Sequence, residues 1–175
     1  MGIPYYVASL VKKHRHIQQD VATVDADVLC LDFNCFIHRY LKASNPIGSI
    51  VVALHEFLTL VASARTVYIA FDGLVPYAKM VQQRYRRFRR GEEPAPAFDK
   101  HQISPGTPFM KQLEETIRFL FPDVVLSGTD EPGEGEHKIF TWIRAMPADQ
   151  RRNIVIYGLD ADLVLISIAQ SDLGT

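Results

Sequence analysis

A chain of 175 residues, 47% hydrophobic and 22% charged, has the balance of one soluble globular domain able to bury a core. Its formal net charge of −1 excludes attraction of nucleic acid by bulk charge, so any such binding must come from how the charges are distributed. Two cysteines, Cys30 and Cys35, are too few for a disulfide scaffold or a zinc cage, and the longest apolar stretch is broken by His55 and Glu56, which argues against a membrane span.

The N-terminus lacks the basic-then-apolar order of a signal peptide, and Tyr6 stands where a myristoylation pattern requires Ser or Thr. The expectation is an intracellular protein, cytoplasmic rather than nuclear. Val28 to Phe33 (VLCLDF) predicts a short buried strand ending in a carboxylate, and Ile50 to Ala64 has the length and apolar spacing of a helix. Val67 to Phe71 (VYIAF) predicts a second buried strand, followed at once by Asp72.

Pro76 to Arg90 (PYAKMVQQRYRRFRR) predicts a basic helix. At about 100° per residue, Lys79, Gln83, Arg86, Arg87 and Arg90 share one face, with Val81, Tyr85 and Phe88 opposite. The apolar side is expected to dock on the domain while the other presents cations. An exposed basic run is most often a solvated face, but these cations have no matching acids within the helix and so call for an anionic partner. Arginine offers forked donors to phosphate oxygens and lysine a point charge.

Gly91 to Ala97 (GEEPAPA) reads as a flexible connection. Thr107 followed by Pro108 caps a helix over Phe109 to Phe121, which Pro122 stops. Asp123 to Leu126 predicts a third strand, Glu134 to Met146 a helix, and Ile154 to Tyr157 a fourth strand, after which Gly158 turns the chain into Asp160 and Asp162. Apolar strands alternating with helices give an α/β fold, residues 1–175 as one domain, with a mostly parallel central sheet flanked by helices. In such a fold function gathers beyond the carboxyl ends of the strands.

Asp32, Asp72, Asp160 and Asp162 lie at or just after predicted strand ends, and Glu134 and Glu136 begin a helix after a Pro-Gly turn. A lone Asp in such a place is more often a turn or helix cap than a ligand; repetition at several strand ends changes that weight. Converging carboxylates repel one another and are best reconciled by divalent cations. Oxygen-only donors select Mg²⁺ or Mn²⁺, and two ions roughly 4 Å apart activate water and stabilise the leaving oxygen of a phosphodiester. Asp130 and Glu131 read instead as a solvated loop.

These motifs together resemble the XRN 5′-to-3′ exoribonucleases. The resemblance rests on Met1-Gly2-Ile3-Pro4, Leu31-Asp32-Phe33-Asn34 with Ile37-His38, Phe71-Asp72-Gly73, and Ala78-Lys79-Met80 with Gln82-Gln83-Arg84 and Arg86 to Arg89. It continues in ISPGTPFM from Ile103, PGEGEHK from Pro132 and YGLDADL from Tyr157, so that it spans nearly the whole chain. It implies a PIN-like nuclease fold, shared with flap endonucleases. Asp32, Asp72, Glu134, Glu136, Asp160 and Asp162 match the family's metal-site acids, which serve catalysis with Mg²⁺ or Mn²⁺. Lys79, Gln83, Arg86 and Arg87 match the pocket that grips the 5′-monophosphate of single-stranded RNA. His38 matches a histidine stacked on a nucleotide near the cleavage site; by itself it reads as a surface or core histidine.

Cys35 stands where the family usually has Gly, the connection after the basic helix is short, and the family carries a further metal-binding Asp downstream, which the resemblance implies is lost by truncation or natural reduction. The function implied is hydrolysis of single-stranded RNA from a 5′-monophosphate end by two-metal-ion catalysis. The alternatives are a nuclease-derived module that binds RNA or a partner without cutting, and a flap DNA nuclease on the same fold.

Overall fold

In the computed structural model, residues 5–89 and 99–173 are described, without the side chains of residues 86, 87, 89, 100 and 173. The Gly91 to Ala97 connection lies outside the described residues. Four short strands form the sheet: β1 (Val28–Asp32), β2 (Thr66–Ala70), β3 (Val125–Ser127) and β4 (Ile154–Tyr157). Their order is β3-β2-β1-β4 and every pairing is parallel. This is the α/β architecture expected, consistent with a PIN-like nuclease fold.

Every residue of β1 is buried because both faces of the sheet are covered. Leu29 and Leu31 face one core, with Phe33, Phe36 and Ile37 of α2 (Phe33–Ile37), Ile50 and Leu54 of α3 (Pro46–Leu60), and Met110, Leu113 and Ile117 of α5 (Pro108–Leu120). Val28 and Cys30 face the other, with Ile139, Phe140 and Ile143 of α6 (Gly135–Ala145) and Leu163 of α7 (Ala161–Ala169). Two further helices are α1 (Tyr6–Lys13) and α4 (Tyr77–Arg89). Among the described residues no helix is long and apolar enough to cross a membrane.

The topology positions the site. The chain leaves β1 toward β2 and β3 on one side, then returns in β4 on the other side of β1. In open parallel sheets this reversal leaves a crevice beyond the carboxyl ends, between the strands that part company. Asp32 ends β1, and Asp160 follows β4.

Several boundaries differ from the sequence reading. β1 stops at Asp32, and Phe33 opens α2, because the partner strands give out there: the last paired residues are Asp32 with Ala70 and Leu31 with Tyr157. α3 starts at Pro46, where the Asn45 side chain accepts from the Gly48 N–H at 3.1 Å, and it ends four residues before Ala64. Asp160 and Asp162 begin a helix, α7, that the turn reading did not anticipate. One expectation is corrected in part: Val81 is half-buried, but Tyr85 is 68% and Phe88 87% exposed, so the outer part of the apolar side of α4 does not dock on the described part of the domain. Arginine-rich composition makes a helix soluble on every face, and alternation alone cannot say whether another element lies against its apolar stripe.

Candidate metal and phosphate site

Asp72 lies two residues past β2, on a loop held in place by backbone. The Gly73 N–H donates to the Gly133 carbonyl at 2.8 Å, and the Gly133 N–H donates to the Leu74 carbonyl at 2.9 Å. Gly133 adopts φ 114°, a conformation that glycine alone takes easily, and this turns the second loop into Glu134 and the start of α6. Two loops from different crossovers are thus laced together, each bringing an acid to the same rim.

The Asp72 carboxylate accepts from the Gly135 N–H at 2.8 Å through Oδ1 and from the Asn34 amide at 3.0 Å through Oδ2. Its own N–H donates to Asn34 Oδ1 at 3.1 Å. Gly135 has no room for a side chain: a β-carbon there would sit 2.8 Å from Asp32 Oδ1. Asp32 and Asp72 therefore flank the first turn of α6 from β1 and β2.

Charge ties the remaining acids to this pair. Burial first, then the carboxylates of Asp72, Asp160 and Glu136, push the Asp32 carboxyl up from 3.8 to about 7. Burial also raises Asp72, with Glu134 adding to it, while the Gly135 N–H, Lys138 and Lys79 pull it back. Glu136 is raised by burial and by Glu134 and Asp162, against His137 and Lys79. All six predicted acids thus belong to one electrostatic group. Asp160, at the cap of α7, is exposed and Asp162 half-buried, so the crevice opens to solvent on the β4 side.

Lys79 of α4 meets the group directly: its Nζ lies 2.8 Å from Glu134 Oε2. The basic helix therefore starts at the acidic crevice, as its position after Asp72 predicts. Gln83, one turn on, is half-buried. The side chains of Arg86 and Arg87 lie outside the described residues. His38 is exposed at the end of α2.

Hard carboxylate oxygens crowded beyond the sheet fit a divalent cation as counter-charge, since a positive ion removes the repulsion that raises Asp32. Among the described residues no three His, Cys, Asp or Glu side chains are gathered into a cage for a single ion. The acids share a crevice without closing on a point.

Sequence spacing gave no role to Asn34, Gly73, Gly135 or Lys138. Lys138 is buried, donates from Nζ to the Gly128 carbonyl at 2.7 Å, and has its pKa lowered by burial, against the carboxylates of Glu131, Asp72, Asp130 and Glu114. A lysine inside an apolar helical stripe signals such a buried tether, but which backbone it reaches depends on the loop opposite. Asp130 and Glu131 are exposed, as their reading as a solvated loop expects, with Glu131 accepting from the Ser127 hydroxyl at 2.5 Å.

The family model described as XRN 5′-3′ exonuclease N-terminus matches residues 1–96 and 91–173. Its two pieces meet where the sequence reading placed the short connection. The chain is similar to 5′-3′ exoribonuclease 1 of Saccharomyces cerevisiae, 28% identical over 215 residues covering 97% of the chain. It is also similar to 5′-3′ exoribonuclease 2 of Gallus gallus, 32% identical over 197 residues and 83% of the chain. A third relative is the 5′-3′ exoribonuclease 2 homolog of Caenorhabditis elegans, 29% identical over 243 residues and 97% of the chain. The chain spans 14%, 21% and 25% of the lengths of these three relatives.

Proposed function

The chain belongs to the XRN 5′-3′ exonuclease N-terminus family, and from that premise we propose that it is the nuclease end of a 5′-to-3′ exoribonuclease using Mg²⁺ or Mn²⁺. The observation that carries this reading is the 2.8 Å bridge between Lys79 and Glu134, which joins a basic helix to a crevice of six carboxylates. A phosphate held by the helix then lies beside the reaction centre.

In this reading Asp32, Asp72, Glu134, Glu136, Asp160 and Asp162 hold two divalent ions. Such ions supply Lewis acidity, making a bound water nucleophilic and stabilising the leaving oxygen of the phosphodiester. The chain's own part is positional. Lys79, Gln83, Arg86 and Arg87 hold the 5′-monophosphate, Lys79 exchanging Glu134 for a phosphate oxygen, and a pocket matched to a single terminal phosphoryl group would exclude a cap or triphosphate. His38, exposed at the end of α2, stacks on a base. No protein nucleophile is required.

The test compares Mg²⁺-dependent decay of single-stranded RNAs with 5′-monophosphate and 5′-hydroxyl ends, alongside 5′-flap DNA. Hydrogen bonds to charged groups are worth about 1.5–3 kcal/mol, so Lys79→Ala is expected to lower the monophosphate preference about tenfold or more. Asp160→Ala is expected to stop decay. Equal decay of both RNAs, or decay indifferent to Asp160→Ala, counts against the proposal; RNA retained without turnover favours a binding module.

A further inference from the structure

Asn34 stands in the short helix that follows β1, where an asparagine ordinarily serves its own turn or faces water. Here its side chain instead reaches an acid 38 residues away in sequence. The Asp72 N–H can only donate, so the amide oxygen of Asn34 must face it, and the amide NH₂ is thereby turned onto the Asp72 carboxylate. The two bonds, 3.1 and 3.0 Å, close a ring between one side chain and one residue.

The second Asp72 oxygen takes the Gly135 N–H at 2.8 Å. Each carboxylate oxygen therefore receives one N–H, from two different elements: α2, carried by β1, and α6. Rotation about the last side-chain bond of Asp72 would break both. The lone pairs left over are thereby held in a fixed direction, on a carboxylate close enough to Asp32 to raise its pKa.

We propose that Asn34 is a positioning residue for the metal site: it sets the angle of the Asp72 carboxylate and locks the ends of β1 and β2 into register. The inference rests on the reading of Asp72 as a metal ligand. Hydrogen-bond partners that orient a ligand typically contribute about 10- to 100-fold to metal affinity or activity. Asn34→Leu keeps the branched shape and removes both bonds.

The experiment titrates Mn²⁺ calorimetrically into the chain and into its Asn34→Leu, Asp72→Asn and doubly substituted forms, with melting followed by circular dichroism. Mn²⁺ affinity is expected to fall about 10- to 100-fold in Asn34→Leu, and the double variant is expected to bind no more weakly than Asp72→Asn alone. Wild-type affinity in Asn34→Leu overturns the proposal, as do additive losses in the double variant. Should Asn34→Leu fail to fold, Asn34→Ser, which keeps a donor but not the ring, takes its place under the same criteria. In RNA hydrolysis the loss is expected in kcat, with KM for RNA little changed, because Asn34 has no part in holding the phosphate. A chain that hydrolyses no RNA yet shows the coupled Mn²⁺ losses refutes the exoribonuclease reading and leaves this inference standing.

Discussion

Replacing Asp32 with asparagine is expected to silence RNA hydrolysis while making the metal-free protein more stable. The carboxyl is pushed from 3.8 to about 7 by burial and by three neighbouring acids. Its pKa is thus higher in the folded than in the unfolded chain. Between about pH 4 and 7 the unfolded chain binds fewer protons at this group, so stability falls as pH rises through that window. The displacement from 3.8 to about 7 amounts to about 4 kcal/mol, lost in full above the folded pKa. Asparagine has no charge to desolvate or repel. Melting in a chelator at pH 5 and pH 8 should show a smaller decline for Asp32→Asn than for the wild type, and the difference between the two reports Asp32 together with its coupling to Asp72, Asp160 and Glu136. In activity the sign reverses. A metal-held charge is worth several kcal/mol in the transition state, so turnover should fall about a thousandfold or more. Turnover near the wild-type level in Asp32→Asn sinks the placement of Asp32 at the reaction centre.

Gly73→Ala is expected to damage both fold and site. A β-carbon at Gly73 would lie 1.8 Å from the Glu131 carbonyl oxygen and 3.2 Å from that of Thr129. These are backbone atoms, so no rotamer change relieves the clash and the two laced loops must part. Overpacking of this kind typically costs about 1–3 kcal/mol, and separation of the loops carries Asp72 away from Glu134. Thermal melting and hydrolysis should fall together. If Gly73→Ala melts with the wild type and keeps its turnover, the loops are less tightly joined than their bonds indicate.

How much of this was legible in the residues follows from what each signal depends on. Continuous apolar runs mark strands buried on both faces, and β1, β2 and β4 appear close to where those runs lie, each short of or beyond the reading by a residue or so at most. Thr107-Pro108 marks a helix start by local chemistry, and the Thr107 side chain accepts from the Met110 N–H there. Acids at strand ends were visible because, in a parallel sheet, strand ends share one edge. What failed depended on partners far away in sequence. Phe33 left the strand because β2 and β4 had no residues left to pair with it. Tyr85 and Phe88 stayed exposed because nothing among the described residues covers that side of α4.

By itself, then, the order of residues determined the layer architecture, the set of acids and the basic helix beside them, since periodicity, turn chemistry and charge are local properties. Only the tertiary structure decided the strand order, the lacing of Gly73 to Gly133, and the grip of Asn34 on Asp72. Those depend on which loops meet across the sheet, and a contact between residues 38 or 63 positions apart leaves no periodic trace in either segment.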